Sequence, residues 1–481
     1  MSLKQITVNG LFWSFIDSFS NTSVQFVVGI ILARLLSPAE FGVIGMVSIF
    51  IAVSQSFIDG GFSNALIQKK ECTSADYSTV FFFNLSVSML FYLLLAVSSG
   101  SISSFFKEPQ LKSLIPVIGT GLIINAFGII QRTILTKNIN FKLQTRISVI
   151  ASTTSGIFAI GTACAGFGIW SLVVLSLSRF TINSLFLWIW TQWRPSRAFS
   201  KQSFTGLFSF GSKMLLSGLI DSLFKNIYYM AIGKYFSAVE LGYYTRADQF
   251  QSLPSQRLND IISRVSFPVL SGLQDDKVRL KAGYQKLIRS TMFLTFVAML
   301  GLVAVSKSLI LTLIGEKWLP TVVYLQLLCL VGMFYPLHSL NLNILQIHGR
   351  SDLFLKLEIF KKILAAPVIL CGIFWGIKVM IIGMILNAMI ETFLDSYWSG
   401  KFVGYSFSRQ IRDILPSFFL ATVISLMIWP ISLITAFPPF WVLTLQLSGL
   451  IFLTIGICEF LKFQEYQNIR NIIVEKLKSR S

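Results

Sequence analysis

The stretch Ala33-Arg-Leu-Leu-Ser-Pro-Ala-Glu-Phe-Gly42 aligns without gaps on a second stretch, Gly233-Lys-Tyr-Phe-Ser-Ala-Val-Glu-Leu-Gly242. The Ser, the Glu and the final Gly are identical, and each copy follows one long apolar segment and precedes another. Two shorter echoes keep the same order: Ile16-Asp17-Ser18-Phe19 against Ile220-Asp221-Ser222-Leu223, and Ile67-Gln68 against Leu273-Gln274. We infer an internal duplication of a membrane unit, and two like bundles around a shared midline are a transporter design.

The composition is that of an integral membrane protein. Of 481 residues, 54% are apolar and only 13% are charged, against about 25% charged in a soluble protein. The net charge of +19 does not indicate nucleic-acid binding, because the Lys and Arg residues lie mostly in short loops between apolar segments. We expect no removable signal peptide, so that the first helix stays in place.

Residues that bind metals and cofactors are few. The five cysteines are scattered without a CxxC pair, and the only histidines are His338 and His348. No His/Cys site for zinc or haem can be built from them, and the chain has no Walker motif for ATP. We therefore expect no metal, no other cofactor and no catalytic residue.

Apolar segments of about 20 residues, the length that crosses a bilayer, predict about fourteen transmembrane helices. They run at about 10–32, 40–60, 79–100, 111–131, 147–166, 168–190, 206–232, 240–265, 287–311, 320–345, 355–376, 378–399, 414–435 and 440–461. With the N-terminus inside, inner loops hold roughly four times as many Lys and Arg residues as outer loops, which is the positive-inside pattern. Arg132 and Lys361 are among the cations assigned to inner loops. Both termini are therefore expected in the cytoplasm.

The duplication predicts an all-α integral membrane fold in three parts. Residues 1–200 form an N-terminal six-helix bundle, and residues 201–400 form a pseudo-symmetric second one. Residues 401–481 hold two extra C-terminal helices and a cytoplasmic tail. For these two helices a packing role and a lipid-facing role are equally open.

The first predicted span is unusually polar. Its polar residues recur at three- and four-residue spacing and so share one helical face; they are Ser14, Asp17, Ser18, Asn21 and Gln25. Such a helix lines a cavity or forms a polar interface with another helix.

Charged side chains also fall within predicted spans: Asp17, Arg179, Lys213, Asp221, Lys225, Arg246, Asp248 and Arg257. A charge facing lipid at the bilayer centre costs about 2.5–3.5 kcal/mol, so these groups must face a hydrated interior, pair or snorkel. Lys213, near the inner end of its span, is expected to snorkel. Cations outnumber anions in this set, and fixed positive charge suits an anionic substrate, since Arg and Lys bind phosphate through charge-assisted hydrogen bonds.

Several of these positions leave two interpretations open. Asp221 and Lys225, at i and i+4, form either a structural salt bridge or part of a functional site. Arg257, near the helix-kinking Pro254, either lines a cavity or belongs to a structural pair. His338, two residues after a proline, is either a polar residue at a kink or a proton relay.

Several stretches resemble the polysaccharide-exporter branch of the multidrug/oligosaccharidyl-lipid/polysaccharide exporter superfamily. They are Ala33 to Gly42, Ala65-Leu-Ile-Gln68, Ile232-Gly-Lys234, Leu241-Gly-Tyr-Tyr244 and Phe267-Pro-Val-Leu-Ser-Gly-Leu-Gln-Asp-Asp276. The chain is most similar to flippases of the O-antigen and colanic-acid type and to teichuronic acid exporters, over roughly residues 1–400. These motifs are structural turns, which identify the family better than the substrate.

The resemblance implies two six-helix bundles in a V shape that open alternately to each side. It also implies passage of an undecaprenyl-pyrophosphate-linked oligosaccharide from the inner to the outer leaflet of the bacterial inner membrane. The implied partners are this substrate, membrane lipids, and polysaccharide polymerase and glycosyltransferases.

The resemblance further implies cationic side chains in a central cavity. The residues of this chain that fit the substrate cavity are Lys225, Arg246, Arg257 and Arg179. Those that fit a coupling role or a polar lining are Asp17, Asn21, Asp221 and Asp248. Close relatives often carry an acid shortly before the Ile-Gly-Lys motif, where this chain has Tyr228-Tyr229, so the coupling mechanism assigned to that acid does not transfer directly.

Three other functions remain as alternatives. A cation-coupled multidrug antiporter shares the implied fold, but the excess of cations in the spans speaks against it. A membrane glycosyltransferase or polymerase needs a large catalytic loop, and the non-membrane stretches here are too short for one. A scaffold protein would not need a charged interior.

Overall fold

The computed structural model describes residues 3–196, 199–433 and 436–478, and within these ranges every regular element is helical. The helices are α1 (Leu3–Leu35), α2 (Pro38–Asp59), α3 (Phe62–Gln68), α4 (Ser74–Phe106), α5 (Leu111–Lys137), α6 (Phe141–Cys164), α7 (Trp170–Trp190), α8 (Lys201–Tyr235), α9 (Ala238–Ser271), α10 (Lys277–Leu313), α11 (Thr321–Gly332), α12 (Tyr335–Ile347), α13 (Ser351–Trp375), α14 (Ile377–Val403), α15 (Phe407–Ile428), α16 (Pro439–Phe460) and α17 (Gln464–Lys478). Short 3-10 turns cover Glu316–Trp318 and Trp429–Leu433. The predicted all-α fold is confirmed.

Eleven helical segments of the described chain are long and apolar enough to cross a membrane. Among them α2 joins α3, and α11 joins α12, as single candidates. A twelfth is added if the two parts of α8, bent by 52°, form one span. Two more long helices, α9 and α13, carry more charge, which keeps them below this criterion. The predicted count of fourteen therefore stays a prediction.

Contacts divide the chain into two units, Met1–Gly242 and Tyr243–Ser481. The first unit includes α8, which packs on α2, α3 and α4. At this contact the rings of Phe62 and Phe204 stack, and the hydroxyls of Ser56 and Ser222 lie 2.7 Å apart. The predicted boundaries at residues 200 and 400 refer to the duplicated sequence and not to these contact units, so they remain a proposal.

The two copies of the duplicated motif begin equivalent helices. In the first copy the backbone N–H of Ser37, just before α2, donates to the carboxylate of Glu40 at 2.6 Å. In the second copy the backbone N–H of Glu240 donates to the hydroxyl of Ser237 at 3.2 Å. These are the two halves of a capping box, in which a Ser and a Glu three residues later satisfy exposed N–H groups at a helix start. Helix capping thus explains why Ser and Glu are identical in the two copies.

The identical glycines of the motif have a different role, because the two copies contact each other within the first unit. A Cβ atom added at Gly42 would lie 2.6 Å from the carbonyl carbon of Ala238 and would overlap its oxygen. A Cβ added at Gly242 would lie 2.7 Å from the carbonyl carbon of Pro38 and would overlap that oxygen as well. Ala238 and Pro38 occupy the same position of the motif. The contact is therefore reciprocal, and each glycine admits the backbone of the other copy.

The last two apolar helices pack on α10 in the second unit. Phe293 of α10 is buried against Leu420 and Ile424 of α15 and Cys458 of α16. A second cluster on the same helix consists of Ala304, Val305, Ile428 and Leu443. The outer side of α16 stays exposed, with Phe452 at 74%. These helices thus have both a packing face and an outward apolar face.

Candidate functional site

The polar face of α1 lies against α6. The amide of Asn21 donates to the Asp17 carboxylate at 2.9 Å and to the Ser148 hydroxyl at 2.9 Å. Ser148 also donates to Asp17, and Ser152 donates to the Asn21 carbonyl oxygen at 2.6 Å. Asp17 and Asn21 therefore belong to a polar interface between helices, and their place in a cavity stays a prediction. Both side chains are half-buried, and the Asp17 side chain accepts hydrogen bonds from two donors.

Two arginines approach this interface from the neighbouring helices α5 and α7. Arg132 donates to the side-chain oxygen of Asn183 at 2.9 Å. Arg179 lies one helical turn before Asn183, so it shares the face of α7 that Arg132 contacts. The two guanidinium groups interact electrostatically with each other, and both interact with Asp17. Among the described residues no carboxylate forms an ion pair with either arginine.

The assignment of Arg132 to an inner loop was wrong, because α5 continues to Lys137 and holds this residue within a candidate span. Arg179 was correctly recognised as a charge within a span. Arg132 also interacts electrostatically with Asp59 at the end of α2, whose carboxylate accepts a hydrogen bond from Ser63. The first unit thus contains two half-buried cations near two acids that already have hydroxyl donors.

The other predicted residues of the first unit lie on α8. Asp221 and Lys225 are both exposed, whereas Ser222 on the same helix contacts α2. Their i, i+4 spacing on a continuous helix is as predicted, and their pairing remains a prediction.

The remaining predicted residues belong to α9 in the second unit. Arg246 is half-buried and donates to the side-chain oxygen of Gln249 at 2.5 Å. Asp248 is half-buried on the same helix. Arg257 lies within α9, but its side chain is outside the described residues. Its assignment to the cavity therefore stays a prediction.

A second charged cluster, which sequence reasoning missed, joins α12, α13 and α14. The ammonium of Lys361 contacts the two carboxylate oxygens of Asp395 at 2.8 and 3.0 Å, and Glu358 at 3.0 Å. His338 is hydrogen-bonded through Nδ1 to Asp395. Lys361 is only 5% exposed and Asp395 is fully buried. Glu391 lies within electrostatic reach of all four groups.

Lys361 had been assigned to an inner loop, which was wrong, because it points into the bundle from α13. Asp395 and Glu391 lie four residues apart in the predicted span 378–399 and were not recognised as charges of the interior. The spacing of two acids by four residues in an apolar helix was the one sequence signal that could have indicated these interior charges. In the described ranges no group of three or more His, Cys, Asp and Glu residues is arranged to hold a metal ion.

Known proteins resemble this chain over most of its length. The model of a family described as "Polysaccharide biosynthesis protein" matches residues 31–323. Lipopolysaccharide biosynthesis protein WzxC of Escherichia coli (strain K12) is 27% identical over 431 residues, which cover 88% of this chain and 86% of that protein. Teichuronic acid biosynthesis protein TuaB of Bacillus subtilis (strain 168) is 27% identical over 439 residues, which cover 90% of each chain.

A solved structure has the same fold. The inward closed conformation of lipid II flippase MurJ superposes with a TM-score of 0.76, at 16% identity, over 94% of this chain and 99% of that one. At this identity the likeness supports the fold alone. It agrees with the all-α membrane architecture expected from the sequence.

Proposed function

The chain belongs to the family of polysaccharide biosynthesis proteins, and we propose that it moves a polyprenyl-pyrophosphate-linked oligosaccharide across the bacterial inner membrane by alternating access. The names of WzxC and TuaB, which refer to lipopolysaccharide and teichuronic acid biosynthesis, support this substrate class. The protein acts as a transporter and not as an enzyme. The positive-inside pattern supports cytoplasmic termini.

The observation that carries the proposal is the pair of half-buried arginines in the first unit. Among the described residues, the guanidinium of Arg132 donates to the neutral Asn183 alone, and Asp17, the acid that interacts with both cations, already accepts from Ser148 and Asn21. Asp17 and Asp59 lie near these cations, but in the described part of the chain neither acid forms an ion pair with them, and like charges within a membrane bundle are costly unless an anion binds them directly.

A pyrophosphate group meets this requirement. It offers several acceptor oxygens to two planar guanidinium groups, and each guanidinium can bind a phosphate in a bidentate way. The sugars would occupy the polar interior, while the polyprenyl chain stays in lipid. In this proposal Arg132 and Arg179 bind the pyrophosphate, and Lys225, Arg246 and Arg257 are further cavity cations on its path. Asp17, Asn21, Asp221 and Asp248 line the same path or couple it to an ion.

Leaflet protection in proteoliposomes tests the proposal. A polyprenyl-pyrophosphate oligosaccharide is incorporated, and its access to an external, membrane-impermeant sugar-modifying enzyme is followed with and without the protein. We expect the protein to accelerate access. Replacing either arginine by glutamine removes hydrogen bonds to a charged group worth about 1.5–3 kcal/mol, so Arg132→Gln and Arg179→Gln should slow transport by roughly 10- to 100-fold.

The matched control is Arg409→Gln, which changes an exposed arginine of α15 and should transport as wild type does. Elution profile and thermal midpoint report whether each variant is folded. Wild-type rates in folded Arg132→Gln and Arg179→Gln would exclude these arginines. No acceleration by the wild type, together with cation-driven dye efflux, would favour the multidrug antiporter instead.

A further inference from the structure

The exposed face of α6 carries two cations at the end where the helix begins. Lys142 and Arg146, called here the basic pair, are four residues apart and so lie on one face of the helix, and both are exposed. Farther along the same face, Ile157 is 62% exposed. It follows Arg146 by 11 residues, which is close to three full turns of an α-helix. The face thus runs from a charged end into an apolar stretch.

Two tryptophans from neighbouring helices flank the basic pair. Nζ of Lys142 lies 5.6 Å from the ring centre of Trp13 on α1, and the guanidinium carbon of Arg146 lies 6.0 Å from the ring centre of Trp190 on α7. Both are distances of cation–π contacts. Tryptophan side chains of membrane proteins favour the depth of the lipid headgroups. The two rings therefore indicate that the basic pair lies at headgroup depth.

The helices on which α6 packs continue its exposed apolar surface. α6 packs on both α1 and α7, and all three helices contribute candidate membrane spans. Large apolar side chains are exposed on α1 at Phe15 and Phe19, and on α7 at Leu185 and Ile189. An apolar surface that is exposed along membrane spans is covered by lipid chains. The basic pair therefore borders a surface that faces lipid.

The helices around the basic pair carry almost no negative charge. The sequence has no Asp or Glu between Glu108 and Asp221, so α5, α6, α7 and the connection to α8 contain no acid. The single acid of α1, Asp17, already accepts hydrogen bonds from Ser148 and Asn21. In the part of the chain that the structure describes, neither side chain of the basic pair donates a hydrogen bond or forms an ion pair. Their charge is therefore available to an anion from outside the protein.

A third cation at this end of the unit has a different role. The guanidinium of Arg194 donates to three backbone carbonyls at the C-terminal end of α7, at 2.5, 2.7 and 2.8 Å. It thus satisfies carbonyl groups that the end of a helix leaves without partners. Lys4 and Arg197, whose side chains lie outside the described residues, are cations as well and bring no acid to the basic pair.

We propose that Lys142 and Arg146 bind the phosphate of an anionic glycerophospholipid, of the phosphatidylglycerol type, whose acyl chains lie along the exposed face of α6. The guanidinium can hold a phosphate in a bidentate way, and the ammonium adds a second positive charge. Arg146 and Ile157 are about 16 Å apart along the helix axis, close to half of the roughly 30 Å hydrocarbon core. One leaflet of acyl chain therefore fits between them. The site does not rest on the proposed substrate, which is assigned to Arg132 and Arg179.

Native mass spectrometry tests the site by titrating the purified protein with dioleoyl phosphatidylglycerol. Dioleoyl phosphatidylcholine, with the same acyl chains and a zwitterionic headgroup, is the reference lipid, and we expect the wild type to bind it more weakly. A cation near anionic headgroups contributes about 1 kcal/mol, so Lys142→Gln and Arg146→Gln should each weaken phosphatidylglycerol binding about fivefold. Lys142→Arg should retain binding. The matched control, Lys201→Gln with Arg409→Gln, removes two exposed cations elsewhere and should bind as wild type does.

Thermal midpoints provide a second measurement, because a ligand that binds the folded state stabilises it. Added phosphatidylglycerol should raise the midpoint of the wild type and of the control pair more than that of the double variant Lys142→Gln with Arg146→Gln. Equal midpoints in phosphatidylcholine show that all three proteins are folded. The same preference for phosphatidylglycerol in the double variant as in the wild type, or no preference in either, would overturn the proposal.

Two competitors distinguish the sources of a phosphate group. Glycerophosphoglycerol, which is the headgroup without acyl chains, should leave the bound lipid in place, and displacement by it would show a site for soluble anions instead. Polyprenyl pyrophosphate at the concentration of the phospholipid should not displace it either. Displacement by this molecule would assign the basic pair to the transported substrate and overturn the phospholipid site.

Discussion

The reciprocal contact of Gly42 and Gly242 predicts that a single methyl group at either position is destabilising. In Gly42→Ala the new Cβ would lie 2.6 Å from the carbonyl carbon of Ala238, whereas unstrained carbon atoms are about 3.5–4.0 Å apart. Two backbone segments would therefore have to separate by about 1 Å. Neither can relieve the overlap by changing a rotamer, because the atoms opposite are backbone.

The expected magnitude combines two opposing effects. Overpacking costs about 1–3 kcal/mol, and a contact with rigid backbone should lie near the upper end. Alanine gains about 1 kcal/mol over glycine within a helix. We therefore expect Gly42→Ala and Gly242→Ala each to lower stability by about 1–2 kcal/mol. Gly161→Ala in α6, where an added Cβ has no atom within 4 Å, should be neutral or stabilising.

The double variant provides the sharper measurement. If one methyl group already separates the two segments, the second meets less resistance. The loss of stability in the double variant should therefore be smaller than the sum of the two single losses by more than about 0.5 kcal/mol. Thermal midpoints in nanodiscs, with matched lipid and scan rate, compare the wild type, the two single variants, the double variant and Gly161→Ala. Gly42→Ala as stable as Gly161→Ala, or strictly additive effects, would refute the reciprocal contact.

Two further predictions concern single residues. Arg257→Gln should lose transport in the leaflet-protection assay while expression and membrane insertion remain, and full transport by this variant would exclude Arg257 from the cavity. Asp413→Asn should lower the thermal midpoint by the equivalent of about 1–3 kcal/mol, because its carboxylate pairs with Arg289 at 2.7 Å and accepts from Tyr405 at 2.7 Å; an unchanged midpoint would show that this pair adds nothing to stability.

The sequence was enough to predict an interior polar or charged group wherever the pattern lies within a single helix. Helical spacing was enough to identify the polar face with Asp17 and Asn21, and an apolar run on both sides was enough to place Arg179 within a span. Ser148, the partner of Asp17 and Asn21, lies on another helix, and no spacing rule connects residues more than 100 positions apart.

The cations that were misplaced have a common cause. The positive-inside pattern assigns Lys and Arg to loops by their position near a span end, and both Arg132 and Lys361 lie near such ends. Both residues lie on helices that are longer than their apolar segments. The side chain of each residue points towards a partner on a second helix. Asn183 and Asp395 are those partners, and only the packed structure shows them.

The reciprocal glycine contact also has a consequence for how the protein is made. Helices form as the chain leaves the ribosome, N-terminal part first, yet the start of α2 finds its partner only when Ala238 has been synthesised, about 200 residues later. Until then the helices that precede α9 leave Gly42 without its partner backbone. Assembly of this unit is therefore expected to finish late in translation, and a ribosome stalled before α9 should yield a nascent chain in which a cysteine placed near Gly42 stays accessible to a thiol reagent.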